Sequence, residues 1–198
     1  MALALDHLIE ALEFVGAELE ENKADIELLV AGKSNLLLLG LASRPTRDID
    51  VIGIHENDNF IKATILPDEV SKALVRVRRV MELPEDWINV AASSVMDQGL
   101  PKGFEDRLTQ RRFGGLTLHL LGRLDLICLK LHAVADKLDP DSKHVQDLHL
   151  LKPTKEEQKF AALWTMTQDP SEGFRYSLCL ALPHFGVTDG DEWLPKGV

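Results

Sequence analysis

The stretch VAGKSNLLLLGLASRPTRDIDVIGI, Val30 to Ile54, decides how the rest of the chain is read. Gly32-Lys33-Ser34 matches the last three residues of the phosphate loop Gly-x-x-x-x-Gly-Lys-Ser/Thr. That loop needs its first glycine so that the backbone can curl round a phosphate with N–H groups pointing inward. Here the first position is Glu27, and Leu28-Leu29-Val30-Ala31 between them read as a strand. There is no room for the cradle, so the P-loop reading fails. Further along, Asp48 and Asp50 lie two apart in a β-branched run, which sends both side chains to one face of a strand. Two adjacent carboxylates repel unless a cation lies between them. Mg²⁺ suits such a pair, because it takes hard oxygen ligands and shares them with substrate phosphates. The bland alternative is the solvent face of an edge strand, with Ile49 and Val51 turned inward.

Working outward, Ala4 to Glu21 has an amphipathic helical stripe of Leu5, Leu8, Ile9, Leu12, Val15 and Leu19. Ile26 to Ala31 is a short apolar run, hence a buried strand. Ser34 to Leu41 reads as a short helix that Ser34 can cap, ended by the turn around Pro45. Asp48 to Ile54 is the second strand, and Asp58 to Leu66 fits a third less sharply. A helix starts at Pro67 and runs to about Met81. Pro84 to Lys102 is loop-rich, and Leu116 to Leu121 is a strand after the Gly114-Gly115 turn. Helical patterns follow at about 123–138, 142–151, 154–168 and 171–183. The expected organisation is an α/β (α+β) core over 1–121, a mixed sheet with flanking helices, then a helical region over 122–185 and a loose tail over 186–198 that Trp193 pins.

A length of 198 residues with 45% hydrophobic and 27% charged residues suits an ordinary globular core. No apolar run reaches the roughly 20 residues of a membrane span, and the N-terminus lacks the basic start of a signal peptide; the expectation is a cytoplasmic protein with no membrane partner. The two cysteines, Cys128 and Cys179, sit in helical apolar patterns and read as free thiols. The seven histidines show no zinc spacing, and no Gly-x-Ser-x-Gly marks a serine hydrolase. A net charge of −10 argues against wholesale nucleic-acid binding. The clusters Arg76-Arg78-Arg79 and Arg107-Arg111-Arg112 read as solvated faces sooner than as an RNA groove, because no aromatic residues interleave with them.

An apolar strand, Gly32 and Ser34 at the start of a short helix, an Arg-rich turn, and Asp48-x-Asp50 on the next strand together resemble the nucleotidyltransferase (DNA polymerase β-like) superfamily. Arg123-Leu-Asp-Leu-Ile-Cys-Leu-Lys130-Leu-His-Ala133, followed by Ser142-Lys-His-Val-Gln-Asp147, resembles the later motifs of AbiEii-type toxin nucleotidyltransferases and a related uncharacterised bacterial family. Leu83-Pro-Glu-Asp-Trp87-Ile-Asn and Thr167-Gln-Asp-Pro-Ser-Glu-Gly173-Phe also look like that bacterial family. The resemblance implies a fold with a nucleoside triphosphate held over Mg²⁺. It implies nucleotide phosphates on Gly32 and Ser34, metal on Asp48 and Asp50, a phosphate contact from Lys130, and a base or organising role for Asp147. It also implies a tRNA end, a protein or a small molecule as acceptor, and an antitoxin partner where the role is that of a toxin. Arg47, beside Asp48, reads as a steering cation for phosphate.

Two departures stand out. Lys33 replaces the family's usual second glycine, and either contacts phosphate or points to solvent. The polymerase-type fold also uses a third carboxylate on a later strand, and the candidate strand Leu116 to Leu121 offers Thr117 and His119 instead. Both features leave open a catalytically weakened binding or regulatory module. For Lys130 the alternative is a surface lysine, and for Asp147 an (i, i+4) pair with Lys143.

Overall fold

The computed structural model describes residues 2–97 and 99–195. The chain divides into two compact units, Met1–Leu100 with Glu105–Leu121, and Pro101–Phe104 with Gly122–Val198. The first holds helix α1 (Leu5–Glu21), strand β1 (Ile26–Ala31), helix α2 (Gly32–Leu38), strands β2 (Ile49–Glu56) and β3 (Asn59–Lys62), helix α3 (Asp68–Met81), strand β4 (Ile88–Asn89), and strands β5 (Thr109–Phe113) and β6 (Leu116–Leu120). They form one mixed sheet in the order β3-β2-β1-β6-β5, with β4 also paired to β2. The α/β fold class read from the sequence is the one observed.

β1 lies at the centre of the sheet, antiparallel to β2 and parallel to β6. That position explains its unbroken apolar run, since Leu28, Leu29 and Val30 are all fully buried. Opposite it, β2 carries one extra residue, because Val30 pairs with Val51 while Leu29 pairs with Gly53. The bulge lets Val51 and Ile54, three apart, both join the core. That core lies between the sheet and helices α1 and α3, with Leu8, Leu12, Val15, Val70 and Val77 against Leu28, Val30, Ile49, Val51, Leu116 and Leu118. α1 approaches the β5–β6 hairpin so closely that a Cβ on Gly16 would fall 1.6 Å from the Phe113 carbonyl oxygen. Gly16 in turn accepts a bond from the Gly115 amide at 3.0 Å.

The opposite sheet face carries a polar cluster. Glu27 Oε2 lies 2.5 Å from His119 Nε2 on β6 and 3.3 Å from His55 Nδ1 on β2. Phe60 of β3 packs against both imidazoles, with centroids 5.0 and 4.9 Å away. One carboxylate thereby ties three adjacent strands together.

Several boundaries differ from the sequence reading. β2 starts at Ile49, so Asp48 precedes the strand. α2 runs over Gly32–Leu38, because Gly32 at φ +78° makes the turn directly after extended Ala31. Ser34 is therefore the third residue of the helix and caps nothing. Pro67 is the N-cap residue of α3. The loop-rich segment 84–102 contains β4 and a 3₁₀ turn at Ser93–Met96, and β5 is a strand the pattern did not announce.

The second unit is helical. It consists of α4 (Arg123–Lys137), α5 (Lys143–Leu151), α6 (Lys155–Gln168), α7 (Glu172–Ala181) with a 3₁₀ turn at Leu182–Phe185, and the short α8 (Gly190–Trp193). Ser142, Thr154 and Ser171 cap α5, α6 and α7 through their hydroxyls, Thr154 with Glu157 in a full capping box. The last described residues are tied down. Lys155 bridges to Asp189 at 2.7 Å and lies over the Trp193 ring, and Arg175 bonds Asp191 and the Pro195 carbonyl. The expected pinning by Trp193 is thus present, and the segment through Pro195 is more ordered than a loose tail. Cys128 is buried and Cys179 half-buried, both as thiols outside any disulfide.

Candidate functional site

The site begins where β1 ends. Ala31 is the register partner of Asp50, and the next residue, Gly32, turns the chain into α2. A Cβ at Gly32 would lie 2.1 Å from Asp50 Oδ2. The carboxylate therefore rests directly on the glycine backbone, in space that any other residue would fill. Asp48 and Asp50 are both half-buried and flank the fully buried Ile49, as expected for two side chains on the face opposite the core. Lys33 is half-buried and Arg47 exposed.

α2 is held in place by Asn35, which is fully buried. Its amide donates to the Leu121 carbonyl at 3.0 Å and its Oδ1 accepts from the Leu121 amide at 2.8 Å, closing a two-bond clamp on the residue that follows β6. Sequence reasoning passed over Asn35; its only local signal is a polar residue inside an apolar helix. Ser34 is also fully buried, with its hydroxyl directed to the Ala31 carbonyl at 3.5 Å.

Among the described residues, no three His, Cys, Asp or Glu side chains form a metal-binding cluster. A cation at Asp48 and Asp50 would complete its shell with water and substrate oxygens. That fits Mg²⁺, which keeps several waters and binds through one or two carboxylates. The all-oxygen donor set suits a small hard cation.

Lys130 and Asp147 belong to the second unit, and the structure brings them to each other. Lys130 Nζ and Asp147 Oδ2 are 2.7 Å apart, with side chains only 7% and 4% exposed. Lys130 thus lies inside the helical unit, and its partner is Asp147 rather than solvent; Asp147 pairs across helices, not with Lys143. α4 is buried on several sides by α5, α6 and α7, whereas its C-cap residue Leu138 is exposed. Next to the pair, burial first and then Lys130, Lys143 and Lys137 lower the His144 pKa to about 4, against a weaker opposing pull from Asp147. His144 is thus a neutral imidazole among lysines, and its Nδ1 is buried without a hydrogen-bond partner.

The basic clusters are largely spent internally. Arg76 pairs with Glu18, Arg78 with Glu85 and Arg112 with Asp25, while Arg111 donates to the Leu38 carbonyl and stacks over Phe113.

Three outcomes follow from this geometry. Gly32→Ala is expected to cost about 1–3 kcal/mol in urea unfolding, since it forces a left-handed φ on alanine and pushes a methyl into Asp50. Lys130→Met alone is expected to cost about 3–5 kcal/mol by leaving a buried carboxylate uncompensated, and adding Asp147→Leu to recover most of that. His144 gives a pH signature. Its folded pKa lies below its unfolded value, so its contribution is intact above about 6.5 and is lost as pH falls towards about 4. His144→Gln should flatten the fall in urea midpoint over that window relative to the parent protein.

Residues 6–157 match the family described as Nucleotidyltransferase of unknown function (DUF6036). No curated protein and no solved structure matches the chain. The match runs from α1 past the Asp48/Asp50 strand to the start of α6, covering the greater part of the chain, and so the protein belongs to this nucleotidyltransferase family.

Proposed function

We propose that the protein is a Mg²⁺-dependent nucleotidyltransferase that moves a nucleoside monophosphate from a triphosphate to an acceptor hydroxyl. The observation that carries this reading is the Asp50 carboxylate seated on the Gly32 backbone, with Asp48 two residues before it. Asp48 and Asp50 would hold the cation against the triphosphate. The missing side chain at Gly32 admits the Asp50 carboxylate to the backbone, while Lys33 and Arg47 supply cationic charge on either side of the motif. The cation would supply neutralisation of the triphosphate charge. The acceptor oxygen forms the new bond to the α-phosphorus, the bond from that phosphorus to the pyrophosphate oxygen breaks, and the hydroxyl proton passes to solvent water. Positioning and charge neutralisation carry most of the acceleration.

A protein hydroxyl or a small molecule suits a chain of net charge −10 better than a bulky RNA end. A toxin role with an antitoxin partner goes with this reading when the acceptor is a tRNA end or an essential protein.

The second reading is a binding or regulatory module that keeps the nucleotide pocket without turnover. It draws on the mutual neutralisation of Lys130 and Asp147, paired at 2.7 Å inside the helical unit.

The deciding experiment pairs binding with transfer. Binding of each of the four labelled nucleoside triphosphates is measured with and without Mg²⁺, in the parent protein and in Asp50→Asn. Binding is expected to require Mg²⁺, and Asp50→Asn to lower nucleotide incorporation into RNA, protein or small-molecule acceptors by at least about 100-fold. Mg²⁺-independent binding that survives Asp50→Asn would remove the metal role. Mg²⁺-dependent binding without incorporation into any acceptor would favour the binding module.

A further inference from the structure

Asp50 has a neighbour on its own sheet face, and strand order identifies it. The strand β6, with Thr117 and His119, cannot supply it. β1 stands between β6 and β2, and Thr117 and His119 pair with Glu27 and Leu29, well down the strand from Ala31, the partner of Asp50. The other side of β2 is taken at this level by β4, which runs parallel to it, with Ile49 paired to Ile88 and Asp50 to Asn89. Register partners on neighbouring strands project to the same face. Asn89 is thus the side chain that shares a face with Asp50 on the side away from Gly32. It is half-buried.

The Asn89 side chain is fixed from below. Its Oδ1 accepts from the Ala91 amide at 2.9 Å and its Nδ2 donates to the Asp86 carbonyl at 3.0 Å. Both bonds are local, and they hold the amide in one orientation at the end of the short strand. A carbonyl oxygen has two lone pairs. The Ala91 amide uses one, which leaves the other for a water molecule or a cation ligand.

We infer that Asn89 is a positioning residue of the cation site, holding a cation-bound water beside Asp50. This inference rests on the nucleotidyltransferase reading above. The amide is neutral, so the protein offers a cation two negative charges and not three. Cation affinity in oxygen sites rises with the number of charged ligands. The free protein therefore holds a divalent ion weakly, and the triphosphate supplies the remaining charge. The cation arrives as part of the metal–nucleotide complex.

The test uses Mn²⁺ as a spectroscopic stand-in, with MnCl₂ titrated into the full-length chain and followed by electron paramagnetic resonance. The parent, Asn89→Asp, Ala91→Asp and Asp50→Asn are compared. Asn89→Asp keeps an oxygen for the Ala91 amide and adds one charge beside Asp50. Ala91→Asp adds the same charge at an exposed neighbour. Asn89→Asp is expected to tighten Mn²⁺ about tenfold, and Ala91→Asp to change it less than twofold. Thermal melting without metal checks that Asn89→Asp is folded. Adding inorganic triphosphate is expected to tighten Mn²⁺ more in the parent than in Asn89→Asp. Equal gains from both added acids, or no gain from Asn89→Asp in a folded protein, would overturn the inference while the Asp50 site stands. Mn²⁺ binding by the parent that Asp50→Asn leaves unchanged would overturn the nucleotidyltransferase site and this inference with it.

Discussion

The contact between the Gly32 backbone and the Asp50 carboxylate is the constraint on which the first unit is organised. It requires a residue without a side chain at the exit of β1 and an acid at the entry of β2, in register. The close approach is possible because β1 is the central strand, so that its end is positioned by neighbours on both sides. The bulge in β2 then restores core packing further along, letting the strand present Asp50 to one face and Val51 and Ile54 to the other. Asn35 fixes the helix that leaves Gly32, so the turn between strand and helix is held at both ends.

The helical unit solves a different problem. It buries a lysine and an aspartate that no apolar core would tolerate singly, and it does so by pairing them at 2.7 Å across two helices. Neighbouring lysines and burial keep His144 uncharged beside them. Arg76, Arg78 and Arg112, from the clusters conspicuous in the sequence, meet acids of their own unit. Such exposed pairs add little to stability, yet they remove the basic stripe that a nucleic-acid groove would need.

Long periodic segments were legible from the residues. The α1 stripe, the β1 run, the β-branched β2 and the capped helices α5 to α7 each carry a local pattern strong enough to survive tertiary context. The glycine turn and the Asp-x-Asp pair were legible as well, because their chemistry is local. What was not legible is non-local or short. β4 is two residues long, and only its pairing with β2 marks it as part of the sheet. β5 has the sequence Thr-Gln-Arg-Arg-Phe on a sheet edge, where exposure on both faces erases alternation. Asn35 and Lys130 both have partners set by the fold, one 86 positions away, and no spacing rule finds such a pair.

The Asn35 clamp also has a consequence for synthesis. Glu27, Gly32, Asp48 and Asp50 are all made well before the end of the sheet unit, but β1 lacks its parallel neighbour until Leu116–Leu120 has been translated, and α2 lacks its anchor until Leu121 has. At about 5–20 residues per second, the motif residues wait several seconds on the ribosome as an incomplete sheet edge. The growing chain can therefore carry the whole signature of the site without yet having the site, and a message truncated before the codon for Leu121 would yield a product that keeps the motif but not the anchor that holds it.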